Sequence, residues 1–423
     1  MKPERSKGTR DFLPQEQIAR NGIIRLLTAL FERYGFAPLE TPITERWDVL
    51  ASKYAGGAEI LKETFRFKDQ GGRELGLRYD LTVPLARVVA MNPQLKMPFK
   101  RYQIGPVFRD GPVGLGRYRE FVQCDADIVG CSKLTADAEL ICLADAAFRE
   151  LGLKAVIRIN NRKLLNEVLA SFGVPEAKME QTILSIDKLE KLGWEAVRKE
   201  LKLGAETVGK IKEFLDMQKS PNKDKMETLQ AMLPGSQGLA EIREVFSILE
   251  GQKVRADFDI SLARGISYYT GTIIEVVLMD SKITSSVCGG GRYDSMIGSF
   301  MGKGAVPAVG ISFGLDRIYD CLEKKEKKSV ADVYVIPIGA FDPAFSACRE
   351  LRKNGVNADI DLSGRGPSKN LNYASSLGIP YVIFLGEEEV RKSKVKLRDM
   401  TTGKEMAVSL NEAIQILGKQ LHQ

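Results

Sequence analysis

The sequence predicts an α+β domain built on a mixed, largely antiparallel sheet, followed by a small α/β domain. Three observations carry this prediction. Strand-like runs at 75–79, 102–108, 121–129, 272–278 and 308–313 alternate with flanking helical stretches. Between about residues 161 and 251 the strands give way to charged helical segments such as 188–201 and 205–219. Beyond residue 331, short apolar runs alternate with helical stretches, as in a small α/β unit.

In chain order, helical periodicity marks residues 15–34 and, after the turn at Gly130, residues 133–151. The stretch 161–251 reads as a helical insertion within the first domain. Lys324, Lys325, Lys327 and Lys328 crowd around Glu326, and like charges that repel favour an exposed linker at 323–330. The expected domains are therefore 1–325 and 331–423. In the second, runs at 333–338, 357–361 and 381–385 are read as strands, with helices near 344–354 and 368–377.

Composition narrows the function classes. A chain of 423 residues with 44% hydrophobic residues buries a substantial core. No run is long and apolar enough to span a bilayer, and the basic, polar start at 1–11 has no hydrophobic stretch behind it. Six scattered cysteines form no Cys-x-x-Cys, and His422 is the single histidine, so no zinc tetrad and no protein metal site are expected. A reduced cytoplasmic setting fits this cysteine usage. The lone histidine also excludes mechanisms that need an imidazole base. A net charge of +7 suits a polyanionic partner, and ordinary solubility accounts for it nearly as well.

The most informative residues are Arg-Gly-Ile-Ser-Tyr-Tyr-Thr-Gly-Thr-Ile-Ile-Glu at 264–275, paired with Cys-Gly-Gly-Gly-Arg-Tyr-Asp at 288–294. Glycines permit close backbone approach of a ligand, and tyrosine hydroxyls both donate and accept hydrogen bonds. Taken alone, either piece reads equally well as a tight hairpin with tyrosines in a core. Together they resemble the two signature segments of histidyl-tRNA synthetases. The rest of the chain agrees with that resemblance. Lys-Arg-Tyr-Gln-Ile-Gly-Pro-Val-Phe-Arg at 100–109, a compact loop, and Gly-Arg-Tyr-Arg-Glu-Phe-Val-Gln-Cys-Asp-Ala-Asp at 116–127 resemble motif 2 of class II aminoacyl-tRNA synthetases. Ala-Val-Gly-Ile-Ser-Phe-Gly-Leu-Asp-Arg-Ile at 308–318 resembles motif 3, and residues 30–42 resemble a weaker motif 1. The motifs fall in the family's order across nearly the whole chain.

The resemblance implies a class II catalytic domain with a helical insertion and a C-terminal α/β anticodon-binding domain. It implies histidine–tRNA ligase activity, with L-histidine, ATP and tRNA(His) as substrates, Mg2+ on the ATP phosphates, and a homodimer joined through motif 1. Bulk charge does not mark the C-terminal segment as RNA-binding, since its Lys and Arg nearly balance its Asp and Glu.

Activation of an amino acid needs no catalytic base, because the substrate carboxylate is already the nucleophile. The protein must align the reactants and stabilise phosphate charge, and arginine suits this through its permanently charged planar fork. The resemblance gives Arg109 to the α-phosphate and substrate carboxylate, Arg264 to the α-phosphate from the opposite side, and Arg317 to the γ-phosphate. It gives Glu120 to the adenine or ribose end and Phe121 to stacking on adenine. A histidine pocket must offer an acceptor to one imidazole nitrogen and a donor to the other. Asp127, with Tyr268 or Tyr269 opposite, is the pair that the resemblance offers. Gln123 shares the strand face of Asp127, since residues four apart lie on one face. The substrate ammonium is expected at Asp80 and Thr82 in Leu-Arg-Tyr-Asp-Leu-Thr at 77–82. Asp80 and Asp-Lys-Leu at 187–189 resemble the eukaryotic and archaeal branch. Three departures from the family pattern are Ile266-Ser267 before the tyrosines, Asp316 in motif 3, and the compact loop 110–115.

Competing readings are a non-catalytic, histidine-sensing regulatory paralogue, a synthetase for another amino acid, and a purely RNA-binding or structural protein. The retained motif arginines and C-terminal domain argue against the first. The paired signatures argue against the second, and the third leaves the phosphate-binding set unexplained.

Overall fold

The computed structural model describes residues 2–52, 58–264, 268–302, 304–322 and 327–421. Among them the strands run, in chain order, β1 Ala37–Pro38, β2 Thr44–Arg46, β3 Arg66–Lys68, β4 Glu74–Leu77, β5 Phe99–Phe108, β6 Glu120–Val129, β7 Ala155–Asn161 and β8 Asp257–Phe258. They continue with β9 Thr272–Leu278, β10 Cys288–Arg292, β11 Ala308–Gly314, β12 Val333–Ile338, β13 Ala358–Ile360, β14 Tyr381–Gly386, β15 Val395–Asp399 and β16 Glu405–Val408. The largest sheet has the order β1-β5-β6-β11-β10-β9-β7-β8. Its interior is antiparallel, while β1 with β5 and β7 with β8 are parallel. This is the mixed, largely antiparallel sheet that the strand pattern predicts.

One side of this sheet packs into an apolar core. Phe313 of β11 lies between Phe31 and Phe148, with ring centroids 5.8 Å away on each side. Phe148 belongs to the helix Thr135–Glu150, which also buries Leu140, Ile141, Leu143 and Ala147. Side chains alternate along a strand, so the neighbours of such residues point to the opposite face. That face carries the site.

The Gly-Gly-Gly stretch is a strand, where the sequence on its own read equally well as a hairpin turn. All five residues of β10 are buried, and β9 and β11 pair with it on either side. Glycine is a poor strand former. Here close packing requires it: a Cβ on Gly290 would sit 2.0 Å from the carbonyl oxygen of Gly310.

The stretch after β7 is helical, with helices Arg162–Ser171, Glu176–Ile186, Leu189–Leu192, Trp194–Glu200, Ala205–Asp216, Asn222–Met232 and Gln237–Gly251. The single helical segment expected at 188–201 is split at Gly193, whose φ of 75° no helix accommodates. The segment expected at 205–219 ends its α-helix at Asp216 and finishes in a 3-10 turn.

The chain separates into two compact units, residues 1–10 with 23–322, and residues 11–22 with 323–423. The expected linker at 323–330 lies partly outside the described residues, and so does His422. In the second unit the sheet order is β13-β12-β14-β15-β16. The first three strands are parallel and the last two antiparallel. Val335, Ile383 and Leu397 from the sheet pack with Leu351 and Leu417 from helices Phe341–Lys353 and Leu410–Leu421. A small three-stranded sheet, β2-β4-β3, completes the first unit.

Candidate active site

Strand β6 is the floor of the site. It pairs with β5, placing Arg101 opposite Asp127 and Gln103 opposite Asp125. On its other edge β11 sets Gly310 opposite Asp127 and Ser312 opposite Asp125. Phe121, Gln123, Asp125 and Asp127 therefore share one face, and all four line a cavity of about 260 Å³. Asp80, Thr82, Arg109, Arg264, Tyr268, Tyr269 and Arg317 line the same cavity. Glu120 does not: it opens β6 with an exposed side chain, on the strand face opposite Phe121.

One end of the cavity is cationic. Arg109 Nε donates to the carbonyl of Tyr79 at 3.0 Å, and its guanidinium lies 5.3 Å from the Phe121 ring centre. Arg317 Nε donates to the carbonyl of Gly116 at 3.0 Å and Nη1 to that of Ser286 at 2.6 Å. Arg264 has φ 49°, a left-handed backbone that L residues adopt rarely and that clusters at functional sites. Its Nη1 donates to the carbonyl of Ile274 at 3.1 Å. A Cβ on Gly289 would stand 1.5 Å from that same nitrogen, so this glycine makes the room for the guanidinium. Burial, and then the like charges of Arg117, Arg109 and Arg264, push the Arg317 guanidinium down to about 10. Cations held this close, out of water, favour a bound polyanion.

Backbone and strap contacts fix this end. Asp316 accepts from the N–H of Val122 at 2.8 Å, tying the helix Leu315–Cys321 to β6. The shorter Asp thus still reaches the strand. The loop after β5 is held from the N-terminus: Arg119 N–H donates to the carbonyl of Gly8 at 2.8 Å. Arg10 donates to the Tyr118 hydroxyl at 2.8 Å and pairs with Asp320 at 3.0 Å. Residues 266 and 267, the first departure from the family pattern, lie outside the described residues.

The other end is acidic. Asp80 is buried, and its Oδ1 accepts the N–H of Val83 at 3.0 Å at the start of the helix Thr82–Met91. Burial pushes its carboxyl up to about 6. Asp127 accepts from the Tyr293 hydroxyl and pairs with Arg101 at 2.8 Å. Gln123 Nε2 donates to Ser312 Oγ at 2.7 Å, while its buried Oε1 has no hydrogen-bond partner among the described residues. The Tyr268 and Tyr269 rings meet edge to face at 4.9 Å, and Tyr268 meets Tyr293 at 6.0 Å.

Arg101, Asp125, Tyr293 and Ser312 belong to this end and were not singled out from the sequence. Asp125 was reachable by the alternation that selects Gln123 and Asp127. Tyr293, Arg101 and Ser312 lie inside the quoted segments 288–294, 100–109 and 308–318, but nothing within those segments singles them out.

Comparison with known proteins accords with this geometry. The family model for histidyl-tRNA synthetase matches residues 8–318, and that for the anticodon binding domain matches residues 332–420. A histidine–tRNA ligase 1 of Bacillus cereus is 45% identical over 423 aligned positions, covering 97% of this chain and 99% of that protein. A histidine–tRNA ligase of Aeropyrum pernix is 41% identical, covering 99% of both chains. Among solved structures, the histidyl-tRNA synthetase from Nostoc sp. PCC 7120 superposes with a TM-score of 0.85 at 29% identity, over 99% of this chain and 100% of that one. The chain belongs to the histidyl-tRNA synthetase family.

Proposed function

We propose that this protein is a ligase that activates L-histidine with ATP and then transfers it to the 3′ end of tRNA(His). The observation that carries this reading is one cavity lined both by the guanidiniums of Arg109, Arg117, Arg264 and Arg317 and by buried carboxylates and tyrosines. The histidine carboxylate attacks the α-phosphorus, a new C–O–P linkage forms, and the α–β anhydride bond breaks to release pyrophosphate. Arg109 and Arg264 hold the α-phosphate from two sides, Arg317 the γ-phosphate, and Phe121 stacks on adenine. Such preorganised charge lowers the barrier without any proton transfer by the protein. Mg2+ accompanying ATP would offset phosphate charge.

Asp80 and Thr82 take the substrate ammonium. Asp127 accepts an imidazole N–H, Tyr268 or Tyr269 donates to the other nitrogen, and Gln123 completes the wall. A ligand that leaves these buried groups unpaired is strongly rejected. Glu120 has no part in this reading, given its exposed position. Residues 1–325 form the catalytic domain, with the helical insertion at 161–251. A linker follows at 323–330, and residues 331–423 bind the anticodon. Histidine-driven ATP–pyrophosphate exchange, followed by charging of total tRNA with each amino acid in turn, tests the reading. Exchange and charging with histidine alone are expected. A chain that bound histidine without exchange would be a regulatory paralogue instead.

The working form is a homodimer in the cytoplasm. β1 lies at an edge of the large sheet with both residues exposed. An open edge suits a self-complementary contact. Light scattering at working concentration is expected to give twice the chain mass. A fully active monomer would rule the dimer out.

A further inference from the structure

Asp125 occupies the cavity face of β6 between Gln123 and Asp127. Its side chain is 3% exposed, and its Oδ1 has no hydrogen-bond partner among the described residues. The Ser312 hydroxyl bonds the same carboxyl. A buried acceptor left without a donor is destabilising. When such an atom belongs to a residue lining an open cavity, the missing donor is best supplied by a ligand.

Position identifies that donor. Alternate residues along a strand stand about 6.5–7 Å apart. In the proposed arrangement of substrates, Phe121 beside Arg109 marks the nucleotide end and Asp127 the imidazole end. Asp125, one step short of Asp127, faces the part of the amino acid between ring and carboxylate, which bears the ammonium. Charge leads to the same place. Asp127 already has its cation in Arg101. Asp80 and Asp125, from two walls of the cavity, act on each other as like charges, and one ammonium between them relieves both.

We propose that Asp125 is a second acceptor for the substrate α-ammonium, acting with Asp80, so that histidine binding selects the free amino group. This rests on the reading of the cavity as a histidine site.

Burial pushes the Asp125 carboxyl up to about 7; Arg101 opposes this, Asp127 adds to it, Ser312 opposes it and Asp80 adds to it. Arg78, Tyr269 and Cys288 also interact with it electrostatically. An adjacent ammonium favours the ionised carboxylate and lowers that value. Near neutral pH the free site is partly protonated and the occupied site is not, so binding expels a proton. Affinity for histidine then rises with pH as the carboxyls of Asp125 and Asp80 ionise.

Calorimetric titration at pH 7, in two buffers of different protonation enthalpy, tests this with L-histidine and with imidazolepropionate, which lacks the amino group. Asp125→Asn is expected to weaken L-histidine at least about tenfold, the scale of one charge-assisted hydrogen bond. Imidazolepropionate is expected to bind nearly as before, and proton release with L-histidine to fall. Equal weakening of both ligands, or of neither, overturns the proposal. Should Asp125→Asn not fold, Asp125→Ser takes its place with the same two ligands, and equal weakening of both, or of neither, overturns the proposal. Failure of the wild type to bind L-histidine would instead sink the reading of the cavity itself, and the proposal with it.

Discussion

Arg264→Ala is expected to lower histidine-dependent pyrophosphate exchange by about 10²–10³-fold, the loss typical of removing one charge-stabilising donor. Histidine and ATP affinities should change far less. The asymmetry follows from how the side chain is held. Its backbone is in a strained left-handed conformation, and Gly289 is cut away to admit its guanidinium. Its hydrogen bond to the carbonyl of Ile274 uses Nη1 and leaves Nη2 able to turn to a phosphate oxygen. Strain of this kind persists where the surroundings over-determine a conformation, and it clusters at functional sites. Near-normal exchange by the variant would remove Arg264 from the chemistry.

Asp127→Ala should act twice. Arg101 is 0% exposed, and losing its partner leaves a buried charge uncompensated. Breaking a buried pair in this way costs about 3–5 kcal/mol of folding stability. Histidine recognition should fall separately, by about 1–3 kcal/mol, for the unpaired imidazole N–H. ATP affinity should hold, because Arg109, Arg317 and Phe121 are untouched. Urea denaturation measures the first effect, and calorimetric titration of histidine into the folded fraction measures the second. Lost stability with unchanged histidine affinity would reduce Asp127 to a counter-ion for Arg101.

The strands that build the site announce themselves in sequence. The run 121–129 matches β6 to within one residue, and 272–278 is β9 itself, because both alternate or stay apolar over a full strand length. β10 was hidden because its residues have no strand propensity, and only its two neighbours make it a strand. β15 and β16 were also missed. Their alternation mixes Val395 and Leu397 with charged residues, which reads as solvated chain. For the site, motif order picked out residues that converge on one cavity. What it lacked was the face of each side chain: Glu120 and Phe121 are adjacent in sequence and lie on opposite sides of β6. Arg101 escaped because its importance comes from pairing with Asp127 across β5 and β6, a relation that exists only once the ladder has formed.

The pairing of β6 with β11 joins Gln123 to Gly314 across most of the first unit, and Arg10 reaches Asp320 from near the start of the chain. During synthesis, then, the floor of the cavity leaves the ribosome long before the strand beside it and the helix that anchors its loop. Contacts this distant in sequence form late, since the entropy of closing the long intervening segment must be overcome first. A truncated chain ending before β11 therefore has neither Arg317 nor a second edge for β6. Under the proposed function, incomplete polypeptides are expected to lack adenylation activity until β11 and the helix after it have been added.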